Sequence, residues 1–540
     1  MSIVNPMIVT YCTLFLCLFT LSFSFSHVHA TSSSSDSLCD ITPHPDFCRS
    51  QQPANKSTNI HDFGRSAFQK ALSASIALRN SINKIPHSSK TIALALEDCQ
   101  FLLDRNVDIL STIVLTLKNK DTLERKEYED LHTHLSATIT NKHTCLDSLI
   151  FAASSSSSIV KDISPPLSNG SMLCSISLAF FKHGWAPPGT KSRSLEESFP
   201  LSSSSSFHRK LLQLNGVKII KRVTVNPDGS GNYTTISDAV AAAPTNIQYG
   251  QGYYLIRVAA GVYQEYVTID SNKMYLMMAG DGIDKTIITG NHSYDDGWST
   301  FNSATFAVNG QRFIGVNLTI KNTAGAAKHQ AVALRNDADF SVFYQCSFIG
   351  YQATLYAHSM RQFYRECDVY GTVDYVTGNA AVVLQHCNIY SRLPLPGQFN
   401  TITAQGKTDI NQNTATTIHD CNIKAAADLA SNIGTTQTYL GRPWQTYSTT
   451  IVIESYMDNL INPAGWSIWS GNQSLDTCYY AEYNNTGPGS STANRVTWPG
   501  YHIITDGANV LNVTASGLIL GDFWLPSTTV PYTSNLLYYP

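Results

Sequence analysis

Four pentads with a central cysteine set the strongest limit on how this chain can fold. Tyr344-Gln345-Cys346-Ser347-Phe348, Arg365-Glu366-Cys367-Asp368-Val369, Gln385-His386-Cys387-Asn388-Ile389 and His419-Asp420-Cys421-Asn422-Ile423 share one pattern, and their cysteines step by 21, 20 and 34 residues. A period of about 20–30 residues fits one turn of a parallel β-helix, in which each rung stacks on its neighbour. The alternative is a β-sandwich, which would show hairpin turns at closer spacing. The repeat favours the solenoid. From residue 217 onward the sequence also runs in short β-branched and aromatic segments with frequent Gly and Asn, which suits strands.

The chain has 540 residues, too many for one compact core. Residues 57–182 read as helices. Apolar residues recur at helical spacing around Ala67, Leu72, Ile76 and Leu78, and again through Ile92, Leu96, Leu103, Val107 and Leu110. Glu124 to Ile150 is a third amphipathic stretch and Met172 to Phe181 a fourth, so a four-helix bundle is expected ahead of the β-helix. Ile8 to Phe25 is an apolar run ending in His27-Val28-His29-Ala30 and a serine tract, which reads as a secretory signal cut near Ala30. No Lys or Arg precedes the run, and an uncleaved anchor is the competing reading. Secretion makes cysteine pairing the default. Spacing suggests a small loop bridge between Cys39 and Cys48 and a staple between helices from Cys99 to Cys145, with Cys174 left over. Eight sequons, at Asn55, Asn169, Asn232, Asn291, Asn317, Asn472, Asn484 and Asn512, point to glycosylation. The expected division is a signal at 1–30, a helical domain at 31–184, a linker at 185–212 and a β-helix at 213–540. The linker is rich in Pro, Gly and Ser and ends in His208-Arg209-Lys210-Leu211-Leu212, an exposed basic stretch open to a processing protease.

Three polar residues share the solenoid period. Gln330, Gln352 and Asp374 are separated by 22 and 22, which would place them on adjacent rungs about 4.8 Å apart. Two amides beside a carboxylate suit acyl chemistry: the amides donate to an oxyanion and the carboxylate attacks a carbonyl. A polar ladder that only satisfies its own hydrogen bonds would show the same spacing.

Several segments then carry a family resemblance. Gly261-Val262-Tyr263-Gln264-Glu265, Gln330 to Arg335, Gly371-Thr372-Val373-Asp374, Gly378-Asn379-Ala380, Leu440-Gly441-Arg442-Pro443-Trp444 and Ala464-Gly465-Trp466 resemble the signature segments of plant pectin methylesterases, in order, over about residues 218–538. The helical region, its cysteines and the Arg209–Leu212 junction resemble the inhibitor-like pro-region and processing site of that family. The resemblance implies a right-handed parallel β-helix that hydrolyses the C6 methyl esters of galacturonate in cell-wall homogalacturonan and releases methanol. It makes Asp374 the nucleophile, Gln352 and Gln330 the oxyanion amides, and Arg442 the cation that keeps the carboxylate ionised and in place. Thr300 and Trp444 match substrate contacts, along with Gln330 and Arg442. It also implies a Cys367–Cys387 bridge, one rung apart.

The chain departs from the family at one decisive position. Where members read Tyr-Gln-Asp-Thr-Leu, this chain reads Tyr351-Gln352-Ala353-Thr354-Leu355. That Asp is the family's acid and base, and Ala353 moves no proton. Thr377 also stands where an aromatic residue is usual, while Tyr356, His358 and Arg361 match. Residues 352 and 353 face opposite sides of a regular strand, so both line the groove only if a bulge or bend intervenes. The readings that follow are a slowed esterase or a non-catalytic pectin-binding wall protein. A glycosidase needs two carboxylates flanking its bond, and the adjacent Asp295 and Asp296 have no rung-spaced partner. No calcium-binding carboxylate cluster of a lyase is visible. The expected partners are methylesterified pectin, the processing protease and the chain's own helical domain. The protein is expected to be a monomer in the cell wall, with no metal, no organic cofactor and no nucleic acid.

Overall fold

The computed structural model describes residues 35–52, 59–86, 88–153, 157–188 and 216–537. The signal segment, the Arg209–Leu212 junction and the Asn55 sequon lie outside these. No helix among the described residues is long and apolar enough to cross a membrane. Four long helices, Ile60–Ile82, Lys90–Leu117, Arg125–Ala153 and Ser158–Gly184, form the N-terminal bundle. Asn59, Ser89 and Ser157 cap three of them, each side chain accepting from a first-turn N–H. Each helix contributes an inward stripe, and Phe68, Leu110, Leu135 and Leu178 meet fully buried in the middle. The fourth helix begins 14 residues before the apolar stretch that announced it, running through Pro165 and Pro166. The prolines remove two N–H donors, but burial of Ile163 and Leu167 on either side of them holds the turn.

Two disulfides join Cys39 to Cys48 and Cys99 to Cys145, and Cys174 is a buried thiol. The bridge expected between Cys367 and Cys387 is absent. Both are thiols in a file with Cys346 and Cys421, all buried in the β-helix core. Each sits at the same corner of successive rungs, and the inner two have a like neighbour on each side instead of one partner. Cys367 and Cys387 instead donate to carbonyls of the adjoining strands, Phe343 O and Tyr364 O at 3.5 Å.

From Ile219 the chain winds as a three-sided coil. Its strands form sheets of eleven, seven and eight, every pairing parallel and each strand, except those at the sheet ends, hydrogen-bonded to its equivalents in the rungs before and after. The pentads mark one corner of this right-handed β-helix. The residue before each cysteine, Gln345, Glu366, His386 or Asp420, takes φ between 51° and 55°, which turns the chain and aims the cysteine inward. Repeated corners stack like side chains, as in Phe343 on Tyr364 and Tyr370 on Tyr390. One glycine is required outright. Gly378 has φ +122°, and a Cβ there would lie 1.9 Å from Ala357 O. Gly378→Ala is therefore expected to cost at least about 3 kcal/mol, through strain and a displaced strand. Calorimetry of the purified variant checks this, and an unchanged midpoint would show that the rung yields.

The second and third helices rest on the seven-stranded sheet. Apolar residues of the two parts form one cluster, in which Leu96, Leu102 and Leu149 share a core with Phe301, Val332, Ala353 and Tyr356. Polar ties surround it. Asp98 accepts from Ser148 within the bundle and from Ser299 of the β-helix, at 2.8 and 2.6 Å. Asn379 donates to Thr140 at 2.9 Å, Gln412 to Ser136 O at 2.8 Å, and Arg361 pairs with Asp130 at 2.8 Å.

Candidate active site

The site lies where the chain turns into strands of the seven-stranded sheet. Asp374 precedes the strand Val376–Gly378 and has φ 51°, a left-handed turn that points its side chain out of the coil. Its carboxylate is fully engaged. Oδ1 accepts from Arg442 Nε at 2.8 Å and from Thr401 Oγ1 at 2.6 Å, and Oδ2 accepts from Arg442 Nη2 at 2.6 Å. Such a two-pronged, charge-assisted pair sets both position and orientation. Arg442 follows the strand Thr438–Gly441, and its guanidinium is held from the far side by Trp469, 4.3 Å from the ring centre. Trp444 approaches Trp469 with ring centres 6.4 Å apart.

Gln330 and Gln352 pair across adjacent rungs, as their spacing of 22 suggests. Both are half-buried, and neither amide has a protein partner among the described residues, so their N–H groups are open to a ligand. The second step of the ladder differs from expectation. Ala353 N donates to Val373 O and Leu355 pairs with Val376, so this step runs at 21 and Ala353, not Gln352, stands opposite Asp374. The extra residue of the first step is a bulge at Ala333, where the N–H groups of Ala333 and Leu334 both donate to Thr354 O, at 2.9 and 3.2 Å. Ala353 itself has φ 58°, and this bend takes it out of strict alternation. The position next to Asp374 along the β-helix axis is thus a methyl group, 3% exposed.

Other residues named from the sequence divide between groove and scaffold. Thr377 pairs with Tyr356 and donates to Ala404 O at 3.0 Å, so its hydroxyl is spent on the backbone. Thr300 is half-buried between Ser299, which bonds Asp98, and Phe301, which packs under the bundle. His358 is not at the reacting centre. It is fully buried between Thr144 at 2.9 Å and Ser359 at 3.1 Å, and burial, reinforced by Arg335 and Arg105, pushes its pKa well below the ordinary histidine value. Arg361 is likewise enclosed, paired to Asp339. Asp295 bonds His329 and Asp296 bonds Lys328 at the surface. Among the described residues no group of three His, Cys, Asp or Glu could hold a metal ion. Sequence reasoning missed Thr401 and Trp469. Thr401 lies 27 residues after Asp374, beyond an inserted loop that breaks the 20–22 period, and only Trp469's nearness to the Ala464-Gly465-Trp466 segment hinted at it.

The third helix covers this groove. A small cavity of about 20 Å³ lies between Thr140, Thr144 and Asp147 on the helix and Tyr356, Asn379 and Trp444 on the floor. Burial raises Asp147 to about 7 and Asp98 to about 6, the latter against hydrogen bonds from Ser299 and Ser148.

Known proteins share both parts. The pectinesterase family profile matches residues 222–522, and that of the plant invertase/pectin methylesterase inhibitor family matches residues 33–180. The chain is 47% identical over 538 residues to a probable pectinesterase/pectinesterase inhibitor of Arabidopsis thaliana, covering 94% of each. It is 43% identical over 528 residues to pectinesterase 2 of Citrus sinensis, covering 95% of this chain and 98% of the other. The solved pectin methylesterase from carrot is 50% identical, spans 58% of this chain and 98% of its own, and superposes with a TM-score of 0.57. A three-sided parallel coil with a carboxylate clamped by an arginine, carried behind an inhibitor-type helical bundle, therefore belongs to a member of the pectinesterase family with an N-terminal pectin methylesterase inhibitor domain.

Proposed function

We propose that this protein hydrolyses methyl esters of cell-wall homogalacturonan slowly, after secretion and removal of its helical cover. The observation that carries the reading is the Asp374 carboxylate, clamped by Arg442 and Thr401 beside two unengaged amides. In this mechanism a carboxylate oxygen of Asp374 attacks the ester carbonyl carbon. The amides of Gln330 and Gln352 donate to the oxygen that gains charge. The intermediate expels methoxide, which must take up a proton, and water then cleaves the acyl-enzyme. The methyl of Ala353 supplies no proton at either step, so both fall to water. Thr300 and Trp444 are assigned to the sugar chain on the resemblance alone.

A second reading, a pectin-binding wall protein without turnover, draws on the apolar burial of Ala353. Methanol release from methylated pectin by the cut protein separates the two. The seating of the third helix over Trp444 supports a further expectation. Cutting near Leu212 should raise methanol release by at least about tenfold, equivalent to about 1.4 kcal/mol of seam opposing substrate. Equal rates for intact and cut protein would show that the helices do not bar pectin.

A further inference from the structure

Inside the bundle the third helix presses a lysine against the thiol that the disulfides leave out. Lys142 is 1% exposed and Cys174 is fully buried. Lys142 Nζ lies 2.9 Å from Cys174 Sγ and donates to Gly170 O at 2.9 Å, and these are its polar contacts among the described residues. Room for the lysine is made by Gly170, where a Cβ would come within 3.3 Å of Nζ and 3.4 Å of Cε. Around the pair, Cys174 shares an apolar cluster with Phe68, Ile139 and Leu178. A buried lysine is normally paired with a carboxylate, whereas the neighbours of Lys142 are one carbonyl and one thiol. What this arrangement does offer is an amine nitrogen and a sulfur close enough for a single atom to join them.

We propose that Lys142 and Cys174 are the two ends of a covalent redox bridge, Nζ–O–Sγ, formed by dioxygen. One neutral amine, one thiol and one dioxygen give the bridge and one water. The N–O and O–S bonds form, and the S–H bond, one N–H bond and the O–O bond break. Sulfur and nitrogen each lose two electrons, the two oxygen atoms gain the four, and the two hydrogens leave in the water. The sulfur reaches the level of a sulfenic acid, the reversible end of the cysteine ladder, so a thiol reductant reopens the bridge. The link joins the third helix to the fourth, and the third is the helix seated on the groove. The redox state of this pair thereby sets how firmly the cover is built.

Peptide mapping of the full chain tests this. Air-exposed protein digested without reductant should yield one joined pair of peptides, containing residues 142 and 174, heavier than the sum of its parts by one oxygen less two hydrogens. Protein held under argon from extraction onward should yield the two peptides separately, and so should air-exposed protein treated with a thiol reductant. Finding both side chains unmodified in air-exposed protein would overturn the proposal, and so would a sulfenic or sulfinic acid at Cys174 with Lys142 untouched. The bridge should also raise the thermal midpoint of the bundle by at least about 5 °C between the argon and air samples, with both disulfides intact in each. Cys174→Ser and Lys142→Met should each abolish that difference. A shift that persists in both variants arises elsewhere and counts against the bridge.

Discussion

Asp374→Asn abolishes methanol release by the cut protein, a loss of roughly 10⁴-fold or more if the carboxylate is the nucleophile. An amide is close in shape to a carboxylate and a poor nucleophile, so the variant isolates the chemistry. Asn also tolerates the left-handed φ of 51° at this position. One contact suffers: the amide presents N–H where Arg442 Nη2 now donates to Oδ2 at 2.6 Å. Leaving that donor unpaired costs about 1–3 kcal/mol, a modest drop in midpoint that calorimetry separates from loss of the fold. Methanol release at the wild-type rate from a folded Asp374→Asn variant would take Asp374 out of the reaction.

Ala353→Asp raises methanol release by at least about tenfold in the cut protein, a threshold set below the roughly 10²–10⁴-fold that a positioned acid or base contributes. Residue 353 stands opposite Asp374 on the neighbouring rung, the place from which a carboxyl would serve the leaving methoxide and the incoming water if Asp374 attacks the ester. The backbone favours the change, since Asp accepts φ 58° more readily than Ala does. In the intact chain the effect is opposite in kind. Residue 353 is 3% exposed and packs in the apolar seam beneath the second and third helices, where a carboxyl without partners costs about 1–3 kcal/mol. The variant should therefore release its helical domain more easily after cutting, which size-exclusion chromatography measures. An inert Ala353→Asp variant would shift suspicion to Thr377, whose hydroxyl is held by Ala404 O where the family has an aromatic side chain.

His358 illustrates why a matching residue type is a weak guide to a role. It matches the family pattern close to Ala353 in the sequence, yet it is sealed against Thr144 of the bundle and kept neutral by burial. Cys367 and Cys387 teach the same caution. They lie one rung apart, but so do their neighbours Cys346 and Cys421, and a file of equal thiols has no preferred pair.

The sequence alone was enough for the β-helix and for the four helices ahead of it, and the pairing of Asp374 with Arg442 was implied by the family resemblance. A solenoid repeats one corner many times, so the inward cysteine and the turn residue before it recur at a readable period, and an amphipathic helix writes its buried face into its own spacing. Only the tertiary structure decided the slip from 22 to 21 that brings Ala353 opposite Asp374. It alone placed Thr401 against Asp374, Trp469 against Arg442 and the third helix across Trp444. Those contacts depend on bulges, on inserted loops and on the fit of the helical bundle against the β-helix. Their free energy is spread over residues far apart in the chain, and local periodicity carries no record of it.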